Sequence, residues 1–399
     1  MASLSQARSL AADLVELRRD LHQHPELSNE EVRTADLVTR RLERLGLQVR
    51  TGVAGTGVVA DLDSGEGPRV ALRADMDALP IHEDSEAPYA SRVSGVMHAC
   101  GHDAHTAALV GAAELLATEA REGALGSGGV RFLFQPCEES SDGEGRTGAQ
   151  RMAEEGVLEG VDAVLAVHVG AHLDPGRVYL REGPLFAGSD VFTVDLQGRG
   201  AHGARPHEGV DAVVLAAQLI TVAQQVVARR VEPGTGAVLG FGSVEAGQAP
   251  NVLADRARLE GTLRYFRPEE RSRLREGLEG ALRSVESMGA EGTLAYSGGP
   301  PPLVNDPKVM EVLRPALEDA LGPEAVGTAE TTTMAEDFAF LTHRVPGALL
   351  WVGAGLPERR EHHHPRFDID ESCLPLAAAA LATGARSLLH ARAGERPAT

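Results

Sequence analysis

The sequence predicts an α/β protein with a smaller α+β domain inserted into it, and three observations lead there. At 399 residues the chain exceeds one compact core of ordinary size, so two structural units are expected. Strand-like and helix-like segments alternate near both ends of the chain. Between them the order becomes β-α-β-β-α-β, the split-βαβ or ferredoxin-like pattern, which is complete in itself. The boundaries fall in "GPLFAG" and "GGPPPL", Gly/Pro-rich stretches suited to hinges. Residues 1–185 and 298–399 are therefore expected to form a mixed-sheet domain with helices on both faces, and 186–297 the inserted α+β domain.

The elements follow in order. Leu10, Leu14, Leu17 and Leu21 recur at spacings of four and three, one face of a helix that Pro25 breaks. Ser28 and Glu31 have the spacing of a capping box for a second helix, closed by Gly46. "GVVADL" (57–62) and "RVALRADMDAL" (69–79) read as strands, and "DAHTAALVGAAELLATEA" (103–120) as a helix. "VRFLFQP" (130–136) reads as a buried strand stopped by proline, and "DAVLAVHV" (162–169) as another. In the insert, strands are expected at 189–198, 237–247, 256–266 and 292–299, with helices at 209–230 and 268–289. A helix near 306–321, a strand near 348–355 and an Ala-rich final helix complete the outer domain; "AGERPAT" reads as a disordered tail.

Composition narrows the function classes. A net charge of −20 repels nucleic acid and anionic membranes, so neither is an expected partner. Cys100, Cys137 and Cys373 are too few and too scattered for a disulfide framework, which suits a reducing compartment. The N-terminus lacks a signal-like apolar run, and the apolar stretch 211–230 is broken by Gln and charge, so a cytoplasmic protein is expected.

"HACGHDAH" (98–105) holds three histidines, a cysteine and an aspartate. Cys100 and His102, on either side of Gly101, are good donors for a borderline-soft divalent metal. Glu138 and Glu139 leave a strand at Pro136; adjacent residues point apart there, so one carboxylate can bind metal while the other serves as a general base toward water. His168 ends an otherwise apolar strand, where α/β sheets gather their sites. "EHHHPRFD" (361–368) adds three histidines before a proline. Sulfur, imidazole and carboxylate donors from four separated segments exceed one tetrahedral metal, so two metals sharing a ligand is the better count. Plainer readings exist for each piece alone: a buried structural Cys, two solvated acids, a core histidine, a surface His cluster.

In combination and order, "LHQHPELS", "RADMDALPI", "MHACGHDAHTA", "FQPCEES", "GRGAHGARPHEGVDAV", "NVLADRARLEGTLRYF", "MAEDFAF" and "HHHPRFDID" resemble the M20 metallopeptidases, aminoacylase/amidohydrolase branch, over nearly the whole chain. That branch includes N-acyl-amino-acid amidohydrolases, hippurate hydrolases and auxin-conjugate hydrolases. The resemblance implies Cys100, His102, Glu139, His168 and His363 as ligands of two divalent ions (Mn2+, Zn2+ or Co2+), with Cys100 bridging. It implies Glu138 as general base and Asp77 as a residue orienting the site. In the insert, which the resemblance makes a lid and dimerisation domain, His202 would polarise the scissile carbonyl; in dimeric relatives it comes from the neighbouring subunit. Asn251 and Arg264 would hold the substrate, Arg264 its carboxylate. The implied reaction is hydrolysis of N-acyl amino acids by a homodimer or higher oligomer, with a dipeptidase or carboxypeptidase of the same family as the nearest rival. A metal-independent cysteine hydrolase using Cys100 is the reading from another class. The chain departs from the common pattern at Cys137, where relatives carry a small residue, at Ala201, and in "MAEDF" for "GSEDF".

Overall fold

The computed structural model describes residues 4–395 and divides into two compact units. Unit 1 comprises the chain to Gly183, Val304–Glu330 and Asp337 onward; unit 2 comprises Pro184–Leu303 and Thr331–Glu336. The expected insert, 186–297, is therefore too narrow. The strand-poor stretch 331–336 joins unit 2 through long-range bonds that no local pattern announces, such as Thr332 N to Leu185 O (2.9 Å).

In chain order the elements begin with α1 (Leu4–Ser9), α2 (Ala11–Gln23), α3 (Val32–Arg44), β1 (Gln48–Val53), β2 (Gly57–Asp63) and β3 (Arg69–Asp75). They continue with α4 (His102–Arg121), β4 (Gly129–Gln135), α5 (Gly148–Glu154), β5 (Ala163–Gly170), β6 (Val178–Leu180) and β7 (Gly183–Phe186). Unit 2 carries β8 (Gly188–Gln197), α6 (Ala212–Arg230), β9 (Val238–Ala246), β10 (Arg256–Tyr265), α7 (Pro268–Glu286) and β11 (Glu291–Gly298). The chain closes with β12 (Leu303–Asn305), α8 (Pro307–Leu321), β13 (Val326–Thr328), α9 (Ala339–Thr342), β14 (Gly347–Gly353) and α10 (Cys373–Glu395).

Unit 1 is built on an eight-stranded sheet in the order β1-β2-β4-β3-β5-β14-β6-β13. Its central strands β4, β3, β5 and β14 run parallel, whereas β1, β2 and β6 pair antiparallel, so the sheet is mixed. The central strands read as continuous apolar runs because both faces are buried. Val70, Leu72, Phe132, Leu165 and Leu350 enter the main core with α2, α4 and α10. The alternate residues Ala71, Leu133, Val164 and Leu349 are buried on the opposite face, toward α5 and α9. α4 is buried nearly all round, as an apolar helix inside a layered domain should be.

Unit 2 forms a four-stranded antiparallel sheet in the order β11-β8-β10-β9, the ferredoxin-like arrangement. Phe192, Val194 and Leu196 alternate with exposed or half-buried neighbours and meet Leu219, Leu274 and Leu278 of α6 and α7 in a separate core. α6 is long and apolar enough to cross a membrane by length and composition, yet Leu215, Ala216, Leu219, Ala223 and Val226 are buried in this unit.

Some local expectations are corrected. Ser28 and Glu31 form no capping box: the side chain of Glu31 does not cap α3. Ser28 Oγ instead donates to Asp77 (2.6 Å), and the Glu31 carboxylate accepts from Cys137 N (2.8 Å), so both are drawn away by distant partners. The strand expected to run to 79 ends at Asp75. β1 escaped notice because it is polar and mostly exposed, and β6, β7, β12 and β13 are too short to display a period. Within the expected tail, Ala393 and Gly394 belong to α10, and 396–399 lie outside the described residues.

Candidate metal centre

The centre lies at the carboxyl ends of the four parallel strands, where an α/β sheet offers its crevice. β3 ends at Asp75, two residues before Asp77; β4 ends just before Glu138 and Glu139; β5 carries His168; β14 leads into the segment with His363. Cys100 and His102 flank Gly101, which adopts φ +93° before α4. A Cβ at Gly101 would come within 2.4 Å of Val169 Cγ2, so this close approach of loop to strand demands glycine.

All five expected ligands and Glu138 converge. Donor atoms of Cys100, His102 and His168 lie within 4.8 Å of one another, as do those of Cys100, Glu139 and His363 and those of His102, Glu138 and Glu139. Cys100, like His102 and Glu139, is common to two of these triads, the position a bridging ligand needs. His363 Nε2 is 3.1 Å and His102 Nε2 3.8 Å from Glu139 Oε1, and Cys100 Sγ is 3.7 Å from His168 Nε2.

Hydrogen bonds aim the imidazoles. His102 Nδ1 donates to the carbonyl of Asp77 (2.9 Å) and His168 Nδ1 to that of Val169 (2.9 Å). The Nε2 lone pair of each ring is thereby turned to the donor cluster, with the tautomer fixed. Among the described residues, His102 Nε2 and Glu139 Oε1 are buried with no hydrogen-bond partner. Two orphaned acceptors facing a thiol and two further imidazoles fit a pair of divalent cations. Asp77 ties the cluster together: Oδ2 accepts from Ser28 Oγ (2.6 Å) and Glu139 N (3.0 Å), and Oδ1 lies 3.3 Å from His102 Nδ1.

The local field is negative. Burial lowers the His102 pKa, but Asp75, Asp77 and Glu139 overcome it and push it up to about 10. Burial, then Glu139, Glu138 and Asp75, hold the Cys100 thiol well above its ordinary range. A metal-free centre thus binds protons where a cation belongs. His168 goes the other way: burial and then His105 and His362 hold it well below its ordinary value.

Several contributors were not legible in the sequence. His105 Nε2 accepts from Val169 N (2.9 Å), so its proton sits on Nδ1 and is given to Asp75 Oδ1 (2.6 Å). Asp75 also accepts from Arg73 (2.7 Å), whose other nitrogens reach Gln135 (2.8 Å) and Asp337 (2.9 Å). Asp337 N in turn donates to Glu138 Oε1 (3.4 Å). The signal was the first aspartate of "RADMD", which with Arg73 makes a charged pair inside an apolar strand. Cys137 and His363 both hold left-handed backbone (φ +53° and +58°), two of four such non-glycine residues among those described. Strain of this kind concentrates at functional sites, and at Cys137 it redirects the chain between Pro136 and the two glutamates. Cys137 is buried, with its sulfur accepting from Asn29 Nδ2 (3.1 Å). His98 is buried with neither ring nitrogen hydrogen-bonded among the described residues.

In unit 2, His202 is exposed and sits beside Asn251, through the His202–Val252 bridge and Gly203 N to Asn251 O (2.8 Å). Its Nδ1 accepts from Ala204 N (3.0 Å), leaving the proton on Nε2, the tautomer that can donate to a carbonyl oxygen. Asn251 is exposed; Arg264 is half-buried on β10.

A sheet whose strand ends gather a thiol, three imidazoles and a carboxylate pair has the architecture of a metal-binding hydrolase, and the comparisons agree. Residues 71–386 match the Peptidase family M20/M25/M40. The chain is 39% identical to the N-acetyl-L-cysteine deacetylase of Bacillus subtilis over 383 residues, covering 96% of this chain and 89% of that protein. It is 36% identical to the IAA-amino acid hydrolase ILR1-like 2 of Arabidopsis thaliana, covering 96% of this chain and 86% of that one. The crystal structure of the Bacillus subtilis YXEP protein, a dinuclear metal binding peptidase from the M20 family, superposes with a TM-score of 0.82 at 34% identity, covering 96% of this chain and 99% of that one. The chain belongs to the M20/M25/M40 peptidase family and is a hydrolase acting on amide bonds.

Proposed function

We propose that the protein hydrolyses the amide bond of N-acyl amino acids, releasing a carboxylic acid and an amino acid, with two divalent ions held by Cys100, His102, Glu139, His168 and His363. The observation that carries this reading is the thiol of Cys100 shared by two donor triads, with Glu138 beside them. When bound, such ions lower the pKa of water and polarise a carbonyl oxygen. Mn2+, Zn2+ and Co2+ all suit the donor set.

Glu138 accepts the proton of the attacking water and passes it to the departing amine, its Oε1 steadied by Asp337 N–H. Asp77 keeps His102 and Glu139 in register. We assign His202 the stabilisation of the developing oxyanion, for which its Nε2–H tautomer is suited. Arg264 pairs with the substrate carboxylate, and Asn251 supports substrate beside His202. The deacetylase and the auxin-conjugate hydrolase named above favour N-acyl amino acids as the substrate class.

The cysteine-hydrolase reading loses support. The thiol of Cys100 is held well above its ordinary pKa, whereas a nucleophile needs thiolate. Its sulfur contacts the imidazole of His168 (3.7 Å), a histidine that reading does not use.

We also propose a homodimer formed through unit 2. Val213, Val214, Ala217, Gln218, Thr221, Gln224 and Gln225 leave the exposed side of α6 without charge until Arg229 and Arg230 in its last turn, and β9 is a sheet edge with Val244 exposed. Free Cys100, Cys137 and Cys373 suit a cytoplasmic setting. A panel of N-acetyl and N-benzoyl amino acids and dipeptides on metal-reconstituted protein tests the reading. Faster release from N-acyl amino acids supports it; turnover confined to dipeptides would replace it with a dipeptidase.

A further inference from the structure

The buried face of α2 contains a charge that the proposed reaction does not use. Leu14, Leu17 and Leu21 bury one stripe of α2, and Arg18 falls on that stripe. Its guanidinium is fully buried. A buried cation of this kind is tolerated only when its hydrogen-bonding positions are taken up by well-placed partners. Arg18 Nε donates to Asp103 Oδ2 (2.8 Å), Nη2 to Asp368 Oδ1 (3.2 Å) and Nη1 to Glu371 Oε1 (3.3 Å). His22, one turn on, also bonds Asp103 Oδ2 (2.7 Å), and the Tyr89 hydroxyl donates to Asp368 Oδ2 (2.9 Å).

The two main carboxylates belong to the two loops of the metal centre. Asp103 follows His102 directly, in the first turn of α4. Asp368 closes the segment that carries His363. That ligand most needs support from outside. Its side chain is 52% exposed, against 1% for His102, and its backbone is left-handed (φ +58°). The two loops are also joined directly by a backbone bond, His363 N to Ala99 O (2.8 Å). Phe367 packs between them, its ring 4.9 Å from that of His362 and against the face where Gly101 has no Cβ.

We propose that Arg18 is a positioning residue for the metal centre: one guanidinium fork, gripping Asp103 and Asp368, registers the His363 loop against the Cys100–His102 loop. The proposal rests on the two-metal reading given above. It assigns a purpose to Arg18, the first residue of the "RRDLH" stretch of α2. Lysine cannot replace it, because a single ammonium lacks the planar fork that spans both carboxylates.

Titration of metal-free protein with Co2+ tests this without recourse to activity, following the thiolate-to-cobalt charge-transfer band and the stoichiometry. Wild-type protein is expected to take up two equivalents. If it does not, the two-metal reading fails on its own account, before any variant is compared. R18K, and the milder D368N, are expected to bind one of the two equivalents at least tenfold more weakly while the Cys100-dependent band persists. D368N guards against the chance that R18K does not fold, since Asp368 lies at the edge of the network. Metal-free D368N should melt near the wild-type temperature. Wild-type affinity for both equivalents in folded R18K and D368N would overturn the proposal. So would uniform weakening of both equivalents in step with a lowered metal-free melting temperature, which would mark Arg18 as a stabilising residue only.

Discussion

His363 Nε2 lies 3.1 Å from Oε1 of Glu139, a contact that joins the loop after β14 to the loop after β4. Glu139 Oε1 is buried with no hydrogen-bond partner among the described residues, and His363 adopts left-handed backbone beside it. Two donors brought together at such cost are explained by a cation between them. Glu139→Ala or His363→Ala should therefore lose at least one of two metal equivalents by elemental analysis, and Cys100→Ala, which removes a ligand common to two triads, at least as much. Unchanged stoichiometry in Cys100→Ala would sink its bridging role.

Glu138 stands beside the same cluster, yet it is assigned proton transfer and not ligation. Glu138→Gln keeps the shape and removes the base. Its kcat should fall by roughly 10²- to 10⁴-fold, the usual worth of a positioned general base, with metal content unchanged. A near-normal rate, or loss of metal, would reassign the residue.

The metal-free protein should be sensitive to alkali. His102 is raised from 6.5 to about 10 by its carboxylate neighbours despite burial. A raised folded pKa stabilises the fold fully below 6.5, and that contribution is lost as pH rises toward about 10. Cys100, raised well above 9.0, acts in the same sense at higher pH. His98 and His362, lowered by burial to about 4 and about 3, affect stability only on the acid side of 6.5. Chelated protein should thus melt at progressively lower temperature from pH 7 to 10, and metal loading should flatten that slope, as read by calorimetry. A flat alkaline limb in the chelated protein would contradict the electrostatic account.

Gly101 offers a test of loop geometry. Alanine there would meet φ +93° and place its Cβ 2.4 Å from Val169 Cγ2. Gly101→Ala should cost about 1–3 kcal/mol in stability through backbone strain, and it should weaken metal binding because Cys100 and His102 flank the displaced residue. Denaturant unfolding and a metal titration check both effects.

What could be read from the sequence divides along a physical line. Ligand types were legible because Cys100 and Glu139 sit in loops, His102 at a helix start and His168 near a strand end, where such residues lack a packing role. The layered α/β order was legible because the buried central strands and α4 show long apolar runs. Residues that act through distant partners were not. Ser28 and Glu31 looked like a cap, but Asp77 and Cys137 claim them from elsewhere in the fold. No local pattern singles out Arg18, because only folding brings Asp103 and Asp368 to it. The stretch 331–336 changed units for the same reason.

The most direct test of the central claim is release of free amino acid from N-acetyl and N-benzoyl amino acids by metal-loaded protein, measured before and after chelation. The account predicts hydrolysis that a chelator abolishes and that Mn2+, Zn2+ or Co2+ restores. Hydrolysis that survives complete metal removal, or none with any of these substrates on fully loaded protein, would contradict it.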